Sequence, residues 1–262
     1  MSKNTVSKIS NAFSTGGGGV NFEQQVQAMF LLSLLVDGFC PAMNEQTKSV
    51  WFQAKLQYDV DDLVVFTYRG QAEGKLLCQI KHSITISETN QTFQEVITAA
   101  WSDFQKDNFD RDNDRIALVT AQIAYKSQQA LRFLHAQAEA SGDEKQFADR
   151  VYHTNSSNDD NKKALEAIAS CIEKANDGKP TDLELWKFCK CFILLLFDVD
   201  CKESINRALS ISLIKCNSTE KADLVWSRLV EYAGCCNQTA ANISLQNIDR
   251  EILDFFSNQE SI

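Results

Sequence analysis

The sequence predicts an α/β protein, an α/β core in the first half of the chain followed by a helical region. Three observations predict it. Two apolar runs of strand length, 63–68 and 76–80, flank a glycine-bounded turn. An amphipathic helical segment then leads to a third short apolar run at 115–120. Beyond Tyr125 strand-type patterning stops, while helical periodicity continues nearly to the end.

Taken in order, residues 1–19 are polar and then glycine-rich, and read as a flexible arm. A first helix is expected from Val20 or Asn21 through Phe22, Val26, Phe30 and Leu34, stopping at Gly38 before Pro41. From 50 to 60 the even positions Val50, Phe52, Ala54, Leu56, Tyr58 and Val60 alternate with mostly polar ones, the period of a half-buried strand. The run 63–68 is apolar on both faces and belongs inside a sheet, and 76–80 returns after the turn at 69–74. Phe93, Val96, Ile97, Ala100, Trp101 and Phe104 form one helical stripe. The strand at 115–120 follows that helix, and a helical crossover implies parallel pairing with an earlier strand. Helices are expected near 125–139, 144–153, 161–176, 181–198, 203–215, 219–234 and 247–257, with the apolar run 191–197 inside a buried helix.

Composition narrows the function classes. With 262 residues, 44% apolar and 23% charged, the chain can bury one large core or two modest ones. Nine cysteines are an odd number, and the polar N-terminus has no secretory pattern, so free thiols in a reducing cytosol are expected. His82, His135 and His153 lie far apart and no Cys-x2-Cys occurs, which argues against zinc. The run 191–197 is about a third of the roughly 20 residues a membrane-spanning helix needs. A formal charge of −9 argues against a protein that coats nucleic acid, although a cleft can be locally basic.

The residues that carry chemistry sit on the hairpin. Residues two apart on a strand face one side, so Gln79 and Lys81 point into one space about 7 Å apart. Antiparallel pairing through the 69–74 turn brings Asp62 beside them. Asp62, the Gln79 side-chain carbonyl and the Ile80 backbone carbonyl are then hard oxygen donors suited to Mg2+, with Mn2+ as a substitute. Lys81 would position an attacking water or offset charge on phosphorus. Asp61 competes with Asp62 as ligand, but strand alternation puts it on the opposite face, and Asp62 adjoins the apolar run.

This pattern, within the order helix, three strands, helix, strand, resembles the PD-(D/E)XK restriction-endonuclease-like superfamily. The resemblance implies that Glu23 completes the site as the helix acid, that Asp62 is the metal-binding aspartate, and that Gln79 and Lys81 stand for the (D/E)XK pair. Gln79 departs from the usual carboxylate; a Gln-x-Lys variant occurs in one branch of the family. The arm, Val-Asn-Phe-Glu-Gln-Gln, Val-Asp-Asp-Leu-Val-Val and Gln-Ile-Lys-His-Ser together resemble N-terminal nuclease domains of antiphage effectors of the CBASS and antiviral STAND ATPase types. What this implies is a cytoplasmic, magnesium-dependent endonuclease acting on double-stranded DNA once assembled, as a homo-oligomer or with a sensor or ATPase module, and with no membrane partner. It divides the chain into an arm (1–19), a nuclease core (20–122) and a helical region (123–262) that packs on the core or mediates assembly.

Plainer roles stand beside these. Glu23 in a first helical turn is favoured by the macrodipole. Asp61-Asp62 can open a strand after a turn, and Lys81 can be a solvated strand end. Gln79 is harder to explain so, because a buried amide left unsatisfied costs about 1–3 kcal/mol. The alternative from another class is an α/β domain with a decayed site, serving as an oligomerisation or interaction scaffold.

Overall fold

A mixed seven-stranded sheet divides two apolar cores, each covered by helices. The computed structural model describes residues 17–256 apart from 71, 154, 156, 177, 200 and 202, with the backbone alone at 17–20. The first helix, α1 (Gly17–Leu35), starts before Val20, so 17–19 are helical where the sequence suggested an arm; residues 1–16 lie outside the described ones.

Strands β1 (Phe39–Cys40), β2 (Glu45–Phe52), β3 (Leu63–Arg69) and β4 (Ala72–Ile84) form an antiparallel meander. The strand expected at 50–60 is a correction. β2 ends at Phe52 because Gln53 adopts a left-handed backbone, φ 46°, and 53–60 runs on as a turn-rich connection. Its alternation misleads because Ala54, Tyr58 and Val60 still reach the core from this connection, while Leu56 is 97% exposed.

Helix α2 (Gln91–Phe104) is capped by Asn90, whose side chain accepts from the Phe93 N–H at 2.9 Å. Its stripe of Phe93, Val96, Ile97, Ala100, Trp101 and Phe104 is buried, each large side chain contributing about 1.5–3 kcal/mol. It carries the chain across to β5 (Arg115–Ile123), parallel to β4.

After β5 come α3 (Tyr125–Ala140), α4 (Glu144–Tyr152), α5 (Asp159–Asn176) and α6 (Asp182–Cys191). Here a second correction falls. The apolar run expected to be helical is strand β6 (Phe192–Leu196), which pairs parallel with β5. A short run apolar on both faces has no period to separate helix from strand, and the neighbouring β5 edge decides it. Helices α7 (Ile205–Asn217) and α8 (Ala222–Thr239) follow, then β7 (Asn242–Ser244), which pairs antiparallel with β2, and α9 (Arg250–Asp254). The second half of the chain is therefore not all-helical: β6 and β7 complete the sheet of the first half.

The architecture is mixed α/β. Val64, Leu77, Ile116 and Leu118 face a core under α2, α3, α5 and α6. Leu63, Val65, Leu76, Cys78, Ala117 and Val119 face the other core, under α1, α7 and α8. Among the described residues no helix is long and apolar enough to cross a membrane.

Candidate functional site

β4 outruns β3. Register pairs Leu63 with Cys78, so β4 from Gln79 onward has β5 on one side and no β3 partner on the other. Asp62 sits in that open half because it directly precedes β3. Its Oδ2 accepts the Ile80 N–H at 2.7 Å and a short hydrogen bond from the Gln79 amide, and lies 3.5 Å from Lys81 Nζ. The Ile80 carbonyl faces the same side as its N–H, past the start of β3.

Glu23 lies in the second turn of α1, not in the first as the sequence suggested, and approaches from the α1 side of the sheet. Its Oε1 accepts from Gln27 at 3.0 Å, Gln53 at 2.9 Å and Asn237 at 2.9 Å. Gln27 Nε2 also donates to the Asp62 carbonyl at 3.1 Å and to Asn237 Oδ1 at 2.9 Å, tying the helix acid to the strand acid. With three acceptors facing that nitrogen, the Gln27 amide can be oriented only one way, and its Oε1 is buried without a hydrogen-bond partner.

The structure thus brings Glu23, Asp62, Gln79 and Lys81 into one cluster. Asp61 is elsewhere: it pairs with Lys55 at 3.5 Å. His82 packs its ring edge-on to Phe22. Sequence reasoning missed Gln27, Gln53 and Asn237, which hold Glu23. Gln79 turns its amide nitrogen toward Asp62, so its first role is to hold that carboxylate.

Electrostatically the cluster is short of positive charge. Burial pushes the Glu23 carboxyl above its ordinary value; the Asn237 hydrogen bond opposes this and the nearby Asp62 charge adds to it. Burial likewise raises Asp62, against the pull of Lys81 and the Ile80 N–H. Two carboxylates face one ammonium. No group of three or more His, Cys, Asp or Glu side chains gathers among the described residues, so any cation here would need amide and carbonyl oxygens as well.

No family model matches the chain, and no curated protein matches it. Similar solved structures exist. An Acinetobacter baumannii Cap4 SAVED/CARF-domain containing receptor, with the cyclic trinucleotide 3'3'3'-cAAA, is 12% identical with a TM-score of 0.49, over 91% of this chain and 46% of its own. A Moraxella osloensis Cap4 SAVED/CARF-domain containing receptor is 15% identical with a TM-score of 0.46, over 87% of this chain and 45% of its own. The chain spans less than half the length of these receptors.

The functional expectations are corrected here. The Acinetobacter and Moraxella structures are described as receptors, the former with a cyclic trinucleotide, and not as nucleases. The restriction-endonuclease resemblance, the magnesium-dependent deoxyribonuclease activity and the double-stranded DNA partner, with the ATPase-coupled assembly that resemblance implied, are not carried forward. At the site, Gln79 is neutral and donates its amide to Asp62.

Proposed function

We propose that this chain is a binding module whose cluster at the open half of β4 holds a divalent cation, Mg2+ or Mn2+, and with it a phosphate-bearing ligand. The observation that carries this reading is the excess of carboxylate over ammonium, Glu23 and Asp62 against Lys81, in a partly buried site. All the available donors are hard oxygens, which suit these ions. Glu23 and Asp62 supply the charge, and the Ile80 carbonyl a neutral donor. Gln79 keeps Asp62 in place. Lys81, its side chain 31% exposed at the rim, is left to pair with a phosphate oxygen.

The test is a Mn2+ titration of the native chain and of Asp62→Asn, followed by addition of a cyclic trinucleotide or inorganic phosphate to the loaded protein. A cyclic trinucleotide is the organic probe because one similar receptor is described with it. One Mn2+ per chain is expected, weakened at least about tenfold by the substitution. Trinucleotide or phosphate binding should require Mn2+ and be lost in Lys81→Ala. Equal Mn2+ binding by native chain and variant overturns the cation site, and Mn2+ binding with no retention of either phosphate probe overturns the ligand.

A further inference from the structure

Strand β6 closes one end of the sheet, and its outer edge is open. The Phe197 N–H donates to the Thr120 carbonyl at 3.0 Å, and Thr120 is in register with Leu196. The odd-numbered residues of β6 therefore turn their backbone groups to β5, and Phe192, Leu194 and Leu196 turn theirs outward. Two of the outward groups are already satisfied within the chain. The Phe192 N–H donates to the Phe188 carbonyl, ending α6, and the Leu196 carbonyl accepts from Asn206 Nδ2 at 3.3 Å.

What remains is the Phe192 carbonyl, both groups of Leu194 and the Leu196 N–H, none of which has a hydrogen-bond partner among the described residues. This set is its own complement. If two β6 strands run antiparallel about a two-fold axis at Leu194, the two Leu194 residues exchange both bonds, and each Leu196 N–H meets the other chain's Phe192 carbonyl. Donor meets acceptor four times. The fifth and sixth bonds of such a ladder would use the Phe192 N–H and the Leu196 carbonyl, the two groups already occupied.

The side chains fit the same use. The strand reads Phe-Ile-Leu-Leu-Leu, without the lysine, proline or bulge that normally guards an edge. Leu194, Leu195 and Leu196 are half-buried. Asn206 ties the first turn of α7 to this edge, and that helix exposes Ile205, Leu209 and Leu213, spaced by four along one face.

We infer that the β6 edge is an interface for a second copy of this chain, joining two sheets into one across a two-fold axis. It is independent of the proposed cation site. The test is sedimentation of the native chain, Leu194→Pro and Leu196→Lys. Proline at 194 removes an outward donor and leaves the β5 bonds intact, a placement edge strands tolerate. Lysine at 196 adds a charge to the apolar edge and keeps the backbone unchanged. The expected result is a native species of twice the 29.5 kDa chain mass and two variants of single mass, all with the native circular dichroism. A native chain of single mass at all concentrations overturns the inference, as does a variant of double mass with a native spectrum. If the proline variant does not fold, the lysine variant alone decides.

Discussion

The Gln79 side-chain amide and the neighbouring Ile80 N–H donate to the same oxygen, Asp62 Oδ2, the second at 2.7 Å. One carboxylate oxygen is thereby fixed against β4. A neutral partner at position 79 makes this possible in the absence of any cation. Gln79→Glu sets two carboxylates against each other, which must share a proton or a metal. In chelator at neutral pH the variant is expected to lose about 1–3 kcal/mol of stability, and to recover it on adding Mn2+. Thermal unfolding with and without Mn2+ reads both. Equal melting of variant and native chain in chelator would refute the arrangement.

Glu23 gives a pH dependence of known sign. Its folded pKa is raised above the ordinary 4.5 by burial, so the folded state holds the proton more tightly than the unfolded state. The contribution of Glu23 to stability is therefore fully present below the ordinary value and is lost as pH rises through the raised one. Glu23→Gln keeps an oxygen for Gln53 and Asn237 and removes the titration. The variant should match the native chain below about pH 4.5 and exceed it at neutral pH. Urea unfolding across that range tests it; parallel curves for the two proteins would exclude Glu23 as the source.

A buried carboxylate elsewhere acts structurally. Asp103, 1% exposed on α2, accepts the Val60 N–H at 2.7 Å and the Asp59 N–H at 3.0 Å, and pairs with Lys106 at 2.6 Å. It pins the 53–60 connection to α2. Asp103→Ala leaves those two N–H groups without their acceptor, while Lys106 keeps Asp59 at 2.9 Å, and is expected to cost about 1–3 kcal/mol. Asp103→Asn, which keeps one acceptor, should lose less. Chemical denaturation of the pair checks the order, and a neutral alanine variant would mean the connection is held from elsewhere.

These cases show where the sequence was legible. The β3–β4 hairpin is local, its turn and two apolar runs adjoin, and so the approach of Asp62 to Gln79 and Lys81 could be read from spacing. β6 and β7 could not be, because their pairing partners, β5 and β2, lie far away in the chain and the apolar run at 192–196 has no period of its own. The amides that hold Glu23 are further from reach. Asn237 is 214 positions away, and glutamine and asparagine carry no spacing signature that marks them as partners of one carboxylate. The 53–60 connection misled because its buried residues keep the rhythm of a strand after the backbone has left the sheet.

Gln53 joins both lessons in one residue. Its left-handed backbone, φ 46°, turns the chain out of β2, and its side chain donates to Glu23 Oε1 at 2.9 Å. A non-glycine residue held there stores about 1 kcal/mol or more of strain. Gln53→Ala and Gln53→Gly both remove the hydrogen bond, but only glycine relieves the backbone. Glycine should therefore be the more stable of the two by about 1 kcal/mol, while both weaken Mn2+ binding to the same degree because Glu23 loses the same donor. Unfolding in urea separates the first effect and Mn2+ titration the second. Equal stability of the two variants would show that the turn at Gln53 carries no strain, and unchanged Mn2+ affinity in both would show that its amide does not position Glu23.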